Sequence, residues 1–155
     1  MIVNKDGITL LSASEHGATI KGDTVKVEAD NVTIQGFVIE TTSNERALIP
    51  TDSDGLMVKN NVIISSFRGI QGDVYGRPTN LTIQGNTFDS THGIAGTEEI
   101  TGLFVFGNTF NTSVEGIGLG TGAVVIDENG DERDPGVNWL KSNNTFNDAG
   151  VVDYR

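Results

Sequence analysis

The feature of this 155-residue chain that most restricts its fold is a short apolar motif that returns every 22 to 25 residues. Within each copy, apolar and polar residues alternate, as in Leu81-Thr82-Ile83, which is the period of a β-strand with one buried face. A strand this short cannot bury its face alone, so successive copies must stack on one another. The copies read NVTIQGFVI (31–39), GLMVKNNVI (55–63), NLTIQGNTF (80–88), GLFVFGNTF (102–110) and, more loosely, VNWLKSNNTF (137–146).

A chain that returns to the same apolar column at this interval winds as a coil. Each coil lies about 4.8 Å above the previous one, the ordinary spacing of neighbouring strands. A further apolar column follows the motifs, preceded by glycine from its second member onward: Ala47, Ile70, Ile94, Ile117 and Val151. A partial first coil contains Ile8, Leu10, Ile20 and Val25. The pattern predicts an all-β solenoid of about five to six coils.

Asparagine occupies the same turn in three consecutive copies, at Asn61, Asn86 and Asn108, and Phe37 stands at that place in the earliest one. Asparagine tolerates tight bends, and stacked amides can hydrogen-bond along the axis of such a column. The constant spacing to the flanking apolar residues therefore predicts an Asn ladder.

The pattern [GN]-[LV]-x-[IV]-x-[GN]-N-x-[IF] followed by Gly-Ile resembles the repeats of the pectin-lyase-like superfamily, in particular its carbohydrate-binding and sugar-hydrolase members. The resemblance extends over 7–151. It implies a right-handed, single-stranded parallel β-helix, with the Gly-Ile strands as first sheet, the L-x-I strands as second and the residues after Asn as third. We expect one domain over 1–155, excised from a longer protein, because neither end shows an amphipathic helix that would cap the solenoid.

The first turn of each coil collects acidic residues, and the largest insertion of the chain, 120–136, lies there. The acidic residues of this ridge are Asp52, Asp54, Asp73, Glu98, Glu99, Asp127, Glu128, Asp131, Glu132 and Asp134. Carboxylate and amide oxygens are the ligands that Ca²⁺ prefers. The candidate calcium site is Asp127, Asn129, Asp131 and Asp134. The alternative is a solvated polar loop, which is the usual role of a charge run.

Three aromatic residues are predicted to point outward from the second sheet: Phe104 and Phe106, with Trp139 from the looser copy. Aromatic rings pack on sugar rings, so the patch is a candidate glycan site. The alternative is that another subunit or the 120–136 loop covers it, since exposed apolar patches are usually partnered.

Acid–base catalysis finds little support in the predicted first sheet. Its outward positions are Leu48, Gln71, Ala95, Gly118 and Val152, none of which transfers a proton at neutral pH. Arg68 and Arg77 look isolated, and His16 and His92 lie in separate turn-like segments without the spacing of metal ligands. The sequence therefore favours a protein that is not an enzyme.

The net charge limits the partners: 10 Lys and Arg against 21 Asp and Glu give −11. No basic stripe is present for nucleic acid or for an anionic membrane, and no apolar run reaches the length of a membrane span. With the resemblance, this predicts an extracellular or cell-surface module that binds glycan or acts as a rigid spacer. The alternatives are a lyase or hydrolase fragment acting on acidic polysaccharide and a trimeric tail-spike-like segment. Self-association would use the uncapped ends or the aromatic patch.

Overall fold

The computed structural model describes residues 1–41, 44–72, 76–134 and 136–155. Within these ranges the chain forms short strands in regular succession and one helix. The elements are β1 (Ile2–Val3), β2 (Thr9–Leu11), β3 (Ala18–Gly22), β4 (Val25–Val27), β5 (Thr33–Gln35), β6 (Phe37–Thr41), β7 (Arg46–Pro50), β8 (Met57–Lys59), β9 (Val62–Gln71), β10 (Thr82–Gln84), β11 (Thr87–Ala95), β12 (Thr101–Phe106), β13 (Thr109–Leu119), β14 (Val124–Val125), α1 (Gly136–Asn143), β15 (Thr145–Phe146) and β16 (Val151–Asp153).

The strands stack as a parallel β-solenoid of about five turns, which confirms the predicted fold class. One six-stranded sheet has the order β14-β12-β10-β8-β5-β2 and corresponds to the predicted second sheet. Its register aligns Ile34, Val58, Ile83 and Val105. The steps between these partners are the sequence repeat itself, so one repeat of the sequence forms one coil.

The predicted first and third sheets are hydrogen-bonded into one ten-stranded sheet. The long strands β9, β11 and β13 cross from one face to the next, with a bulge between Ser90 and His92. The Ser90 hydroxyl donates to the carbonyl of His92 at 2.9 Å. A small hydroxyl residue that bonds its own backbone lets the strand bend at the corner without ending. The boundary between these two sheets is therefore a bend.

The core is a stack of aliphatic and aromatic side chains along the axis. Phe88 and Phe110 are fully buried, as the register predicts. Their rings stack with centroids 4.7 Å apart and planes at 8°, and Phe146 continues the stack 5.0 Å from Phe110. The ring spacing equals the strand spacing because the same residue recurs in each coil.

The Asn ladder is confirmed. The side-chain amide of Asn61 donates to Oδ1 of Asn86 at 3.1 Å, and Asn86 donates to Asn108 at 3.0 Å. Asn108 in turn donates to Asn144 at 3.0 Å, which extends the ladder by one coil. At the other end, the backbone N–H of Phe37 donates to Oδ1 of Asn61. Each buried amide is thereby satisfied by the next coil.

Aspartates form a second ladder that the sequence analysis did not identify. The N–H of Asp30 donates to Oδ1 of Asp6 at 2.9 Å, and that of Asp54 donates to Oδ1 of Asp30 at 2.8 Å. The hydroxyl of Thr79 and the side chain of Asn80 both donate to Asp54, and these bonds hold the pKa of Asp54 below its usual value. This member of the acidic ridge is a structural group.

The looser repeat copy is not a strand of the second sheet, and that prediction was wrong. The segment forms α1, in which Leu140 is fully buried and packs into the core. The side chain of Asn144 donates to the carbonyls of Leu140 and Val105, both at 2.9 Å. The helix thus ends where Asn144 enters the Asn ladder. The helix packs against β12 and β16.

Among the described residues, no helix is long and apolar enough to cross a membrane.

Candidate functional site

The acidic insertion folds around one buried carboxylate. Asp127 is only 2% exposed, and it accepts hydrogen bonds from the backbone N–H of Asn129 at 2.8 Å and of Asp131 at 3.0 Å. Its other oxygen pairs with the guanidinium of Arg133. Burial opposes ionisation of the carboxyl, but the two amides and the guanidinium together outweigh it and hold the pKa of Asp127 below its usual value. Asp127 therefore stabilises the loop itself.

The other proposed calcium ligands, Asn129, Asp131 and Asp134, are exposed. In the part of the chain that the structure describes, no group of three or more His, Asp or Glu side chains is placed to hold a metal ion. Asp73, a further member of the acidic ridge, lies outside the described residues. Calcium binding at Asp127, Asn129, Asp131 and Asp134 stays a prediction, and the self-contained bonding of Asp127 gives it no geometric support.

The three aromatic residues named from the sequence do come together. The Phe104 and Phe106 rings are 6.0 Å apart and nearly parallel, and Trp139 lies 5.7 Å and 6.4 Å from them. Trp139 reaches them from α1 rather than from a neighbouring strand. Phe106 stays 38% exposed, whereas Phe104 and Trp139 are half-buried. The helix therefore covers part of this patch.

A groove of about 470 Å³ runs beside the patch along the second sheet. We call it the second-sheet groove; it is lined by Met57, Lys59, Thr82, Gln84, Phe104 and residues 126–130. The acidic loop thus forms one wall of the groove, and Phe104 is part of its lining.

A polar column that the sequence analysis missed crosses the coils at the edge of the first sheet. The register pairs Arg46 with Arg68, Arg68 with His92, and His92 with Glu115. These pairs are separated by 22, 24 and 23 residues, which is the coil period, so a search of the polar residues at that period would have found them. The prediction that Arg68 is isolated was wrong, and His92 lies in strand β11 beside it.

The polar column forms one side of a cleft of about 260 Å³, here called the first-sheet cleft. Its lining residues are Arg68, His92, Ala95, Gly96, Glu98, Glu115, Gly118 and Tyr154. Ala95 and Gly118 are the outward residues of the Gly-Ile strands that the sequence analysis judged inert. Because they are small, they leave space that the longer side chains surround.

Glu115 is the most unusual group of the first-sheet cleft, since it is a carboxylate only 4% exposed. The hydroxyl of Tyr154 donates to its Oε2 at 2.8 Å. That bond raises the pKa of Tyr154 above its usual value. A Cβ atom added at Gly118 would lie 2.9 Å from both Glu115 oxygens, so the glycine makes room for the carboxylate.

The basic side chains beside the cleft pack around one aromatic ring, that of Phe67. The guanidinium of Arg68 lies 4.8 Å from the ring centre of Phe67, that of Arg46 lies 5.7 Å from it, and His92 meets the ring edge-on at 5.8 Å. Within the described residues, Nε of Arg68 and Nδ1 of His92 are buried without a hydrogen-bond partner. Buried polar groups are normally satisfied, and unpaired ones concentrate at functional sites.

No family model matches this chain, and neither a curated protein nor a solved structure shows significant similarity to it. The fold and the cleft therefore define its class, a parallel β-solenoid with a polar cleft on one face, and the function has to be argued from the site.

Proposed function

We propose that the protein is a non-catalytic β-helix module of the pectin-lyase-like type that binds a glycan in the first-sheet cleft. The observation that carries the proposal is the convergence of Arg68, His92, Glu115 and Tyr154 around the small floor residues of one cleft. The aligned register of β9, β11 and β13 holds the first three at the spacing of adjacent strands.

The chemistry of these groups suits a polyhydroxylated ligand. A carboxylate accepts hydrogen bonds from sugar hydroxyls, while a guanidinium and an imidazole donate to hydroxyl or carboxylate oxygens. The buried Nε of Arg68 and Nδ1 of His92 support this, because a ligand that reorders these side chains would satisfy them. The volume of about 260 Å³ lies just below the range of about 300–1,000 Å³ for drug-sized ligands, which favours a single sugar unit.

The same proposal includes an extracellular location and a mechanical role. A surface or secreted module needs to hold its binding face rigid, and two ladders of hydrogen bonds link the coils along the axis. The net charge of −11 favours solubility and disfavours nucleic acid as a partner. We therefore propose a pectin-lyase-like relationship, an extracellular location and glycan binding together.

Binding is tested by isothermal titration calorimetry after a screen of immobilised neutral and uronic-acid oligosaccharides. Glu115→Gln and Arg68→Gln should each weaken the binding of a positive sugar at least tenfold, since each removes a charged hydrogen-bonding group. Arg77→Gln is the matched control, because Arg77 is exposed and pairs with Glu99 outside the cleft. Binding that is equal in all three variants, or no binding to any saccharide, would overturn the proposal.

A second candidate is a lyase or hydrolase that acts on acidic polysaccharide, and one contact favours it. Tyr154 donates to the buried Glu115 in the same cleft as His92, so the cleft contains groups that can transfer protons. Incubation with polygalacturonate and alginate, with and without Ca²⁺, should then cleave the polymers and produce new chain ends. Tyr154→Phe should abolish this cleavage and retain binding. Binding without turnover would leave the module non-catalytic.

A further inference from the structure

The second-sheet groove is larger than the first-sheet cleft and lies on a different sheet. Its volume of about 470 Å³ falls within the range of about 300–1,000 Å³ that is usual for small-molecule sites. The groove crosses three coils, because Met57, Thr82 and Phe104 are aligned partners on β8, β10 and β12. The outer two of these strands are about 10 Å apart at the ordinary strand spacing. The groove therefore has room for a ligand of more than one ring.

The wall of the groove is preformed. Residues 126–130 supply it, and the buried carboxylate of Asp127 accepts hydrogen bonds from the backbone N–H groups of Asn129 and Asp131. The guanidinium of Arg133 pairs with the same carboxylate. Because the loop is held by its own bonds, a ligand that enters the groove does not have to order it. This preorganisation lowers the entropic cost of binding.

The polar side chains of the sheet are available to a ligand. Lys59, Thr82 and Gln84 alternate with buried residues on β8 and β10, and their side chains make no hydrogen bond or ion pair to other described residues. Lysine only donates, the carboxylate of Glu128 only accepts, and the hydroxyl and the amide do both. A matching ligand therefore has to donate as well as accept. Sugar hydroxyls do both, whereas a proline-rich peptide lacks most of the N–H donors.

One side of the groove is aromatic. Phe104 lines it, with the ring centre of Phe106 at 6.0 Å and that of Trp139 at 5.7 Å. The electron-rich face of an aromatic ring packs well on the C–H face of a pyranose ring. A flat aromatic surface beside mixed donors and acceptors is therefore suited to a saccharide.

The charges of the groove favour a neutral saccharide. Lys59 and Glu128 are opposite in sign, and the third charged residue of the lining, Asp127, is paired with Arg133. The whole chain carries −11, so an acidic polymer is repelled with no excess of positive charge in the groove to offset the repulsion.

We propose that the second-sheet groove is a further binding site, specific for a neutral oligosaccharide. One sugar ring packs on Phe104, and the hydroxyls bond Lys59, Gln84 and Glu128. The site goes beyond the proposed function because the groove and the first-sheet cleft share no residue. Either site can therefore fail its test without deciding the other.

Fluorescence tests the proposal, because Trp139 is the only tryptophan of the chain and its ring packs on Phe104. The protein is titrated with linear tetrasaccharides of glucose, mannose, galactose and xylose, and with tetragalacturonate. We expect a saturable change with at least one neutral sugar, at an affinity at least tenfold above that for tetragalacturonate. Lys59→Ala and Gln84→Ala should each weaken this binding at least threefold, since each removes a hydrogen bond.

Gln35→Ala is the matched control, because Gln35 pairs with Lys59 on the neighbouring strand but does not line the groove. It should leave the affinity unchanged, and circular dichroism should show that all three variants are folded. The proposal is overturned if no neutral sugar changes the fluorescence, if tetragalacturonate binds equally well, or if only a proline-rich peptide gives the change. A neutral sugar that binds by calorimetry and leaves Trp139 unaffected lies outside the groove and equally contradicts the proposal.

Discussion

Gly93 lies directly against the ring of Phe110 in the next coil, and a Cβ atom on the glycine would come within 2.5 Å of Cδ1 of that ring. The relationship repeats, since a Cβ on Gly69 would meet Phe88 at 2.7 Å and one on Gly116 would meet Phe146 at 2.6 Å. The carbonyl oxygen of the next coil's glycine is equally close, at 2.4 Å from a Cβ on Gly93. This packing explains why glycine precedes the isoleucine column, since the stacked phenylalanines and the neighbouring backbone occupy the volume of a side chain there.

Gly93→Ala should therefore destabilise the protein by about 1–3 kcal/mol, the usual cost of overpacking a close-packed interior. Gly150→Ala is the control, because Gly150 stands in the same column but has nothing within 4 Å of its added Cβ. Urea unfolding of both variants measures the difference. Equal stability of the two variants would show that the space beside the Phe110 ring can accept a methyl group without strain.

Asn86→Ala should lower the free energy of unfolding by about 1–3 kcal/mol, because neighbouring buried groups lose their partner. Oδ1 of Asn86 accepts from both the backbone and the side chain of Asn61, and its amide donates to Asn108 and to the carbonyl of Val58. Asn4→Ala, at an exposed position, serves as control in thermal unfolding. An unchanged melting temperature for Asn86→Ala would contradict the ladder.

Phe110→Ala should cost about 3–5 kcal/mol, the range for removing a buried aromatic side chain. Phe110 is fully buried between the rings of Phe88 and Phe146, so the deletion leaves a cavity in the middle of the stack. Phe106→Ala, on the partly exposed outer face, should cost clearly less when measured by the same denaturant titration. A comparable loss in both variants would mean that the stack contributes nothing beyond ordinary contact.

The Asp127 loop should make stability depend on acid pH. The pKa of Asp127 is lower in the folded protein than in the unfolded chain, where it is about 3.9. Its contribution is therefore complete above the unfolded value and is lost as the pH falls through the lower folded value.

Denaturant titrations from neutral to acid pH should show less loss of stability in Asp127→Asn than in the native protein, with a lower starting stability. Asp131→Asn, which removes an exposed carboxylate, should keep the native pH dependence. If the stability of Asp127→Asn falls with pH as steeply as that of the native protein, the Asp127 carboxylate does not stabilise the loop.

Much of the scaffold could be predicted because its signals are local and repeated. The alternation in Leu81-Thr82-Ile83 and its return in each coil determine which side chains point inward, and they place Phe88, Phe110 and the Asn ladder correctly. The same reasoning failed at Trp139, because α1 forms only where an insertion lengthens the last coil and Leu140 finds space in the core.

The amino-acid sequence by itself determined the coil period, most of the inward positions and the acidic balance, since each follows from side-chain size, polarity and spacing along the chain. One assignment was wrong: Leu48, predicted to point outward, is fully buried and pairs with Ile70, the place predicted for Ala47.

The alignment of Arg68, His92 and Glu115 also follows the coil period, but only the tertiary structure decided that Tyr154 joins Glu115 in the first-sheet cleft and that Asp127 turns into its own loop. The physical reason is that Tyr154 and Glu115 are 39 residues apart and are not related by the repeat, while Asp127 lies in an insertion that has no counterpart in the other coils, so the repeated pattern predicts neither contact.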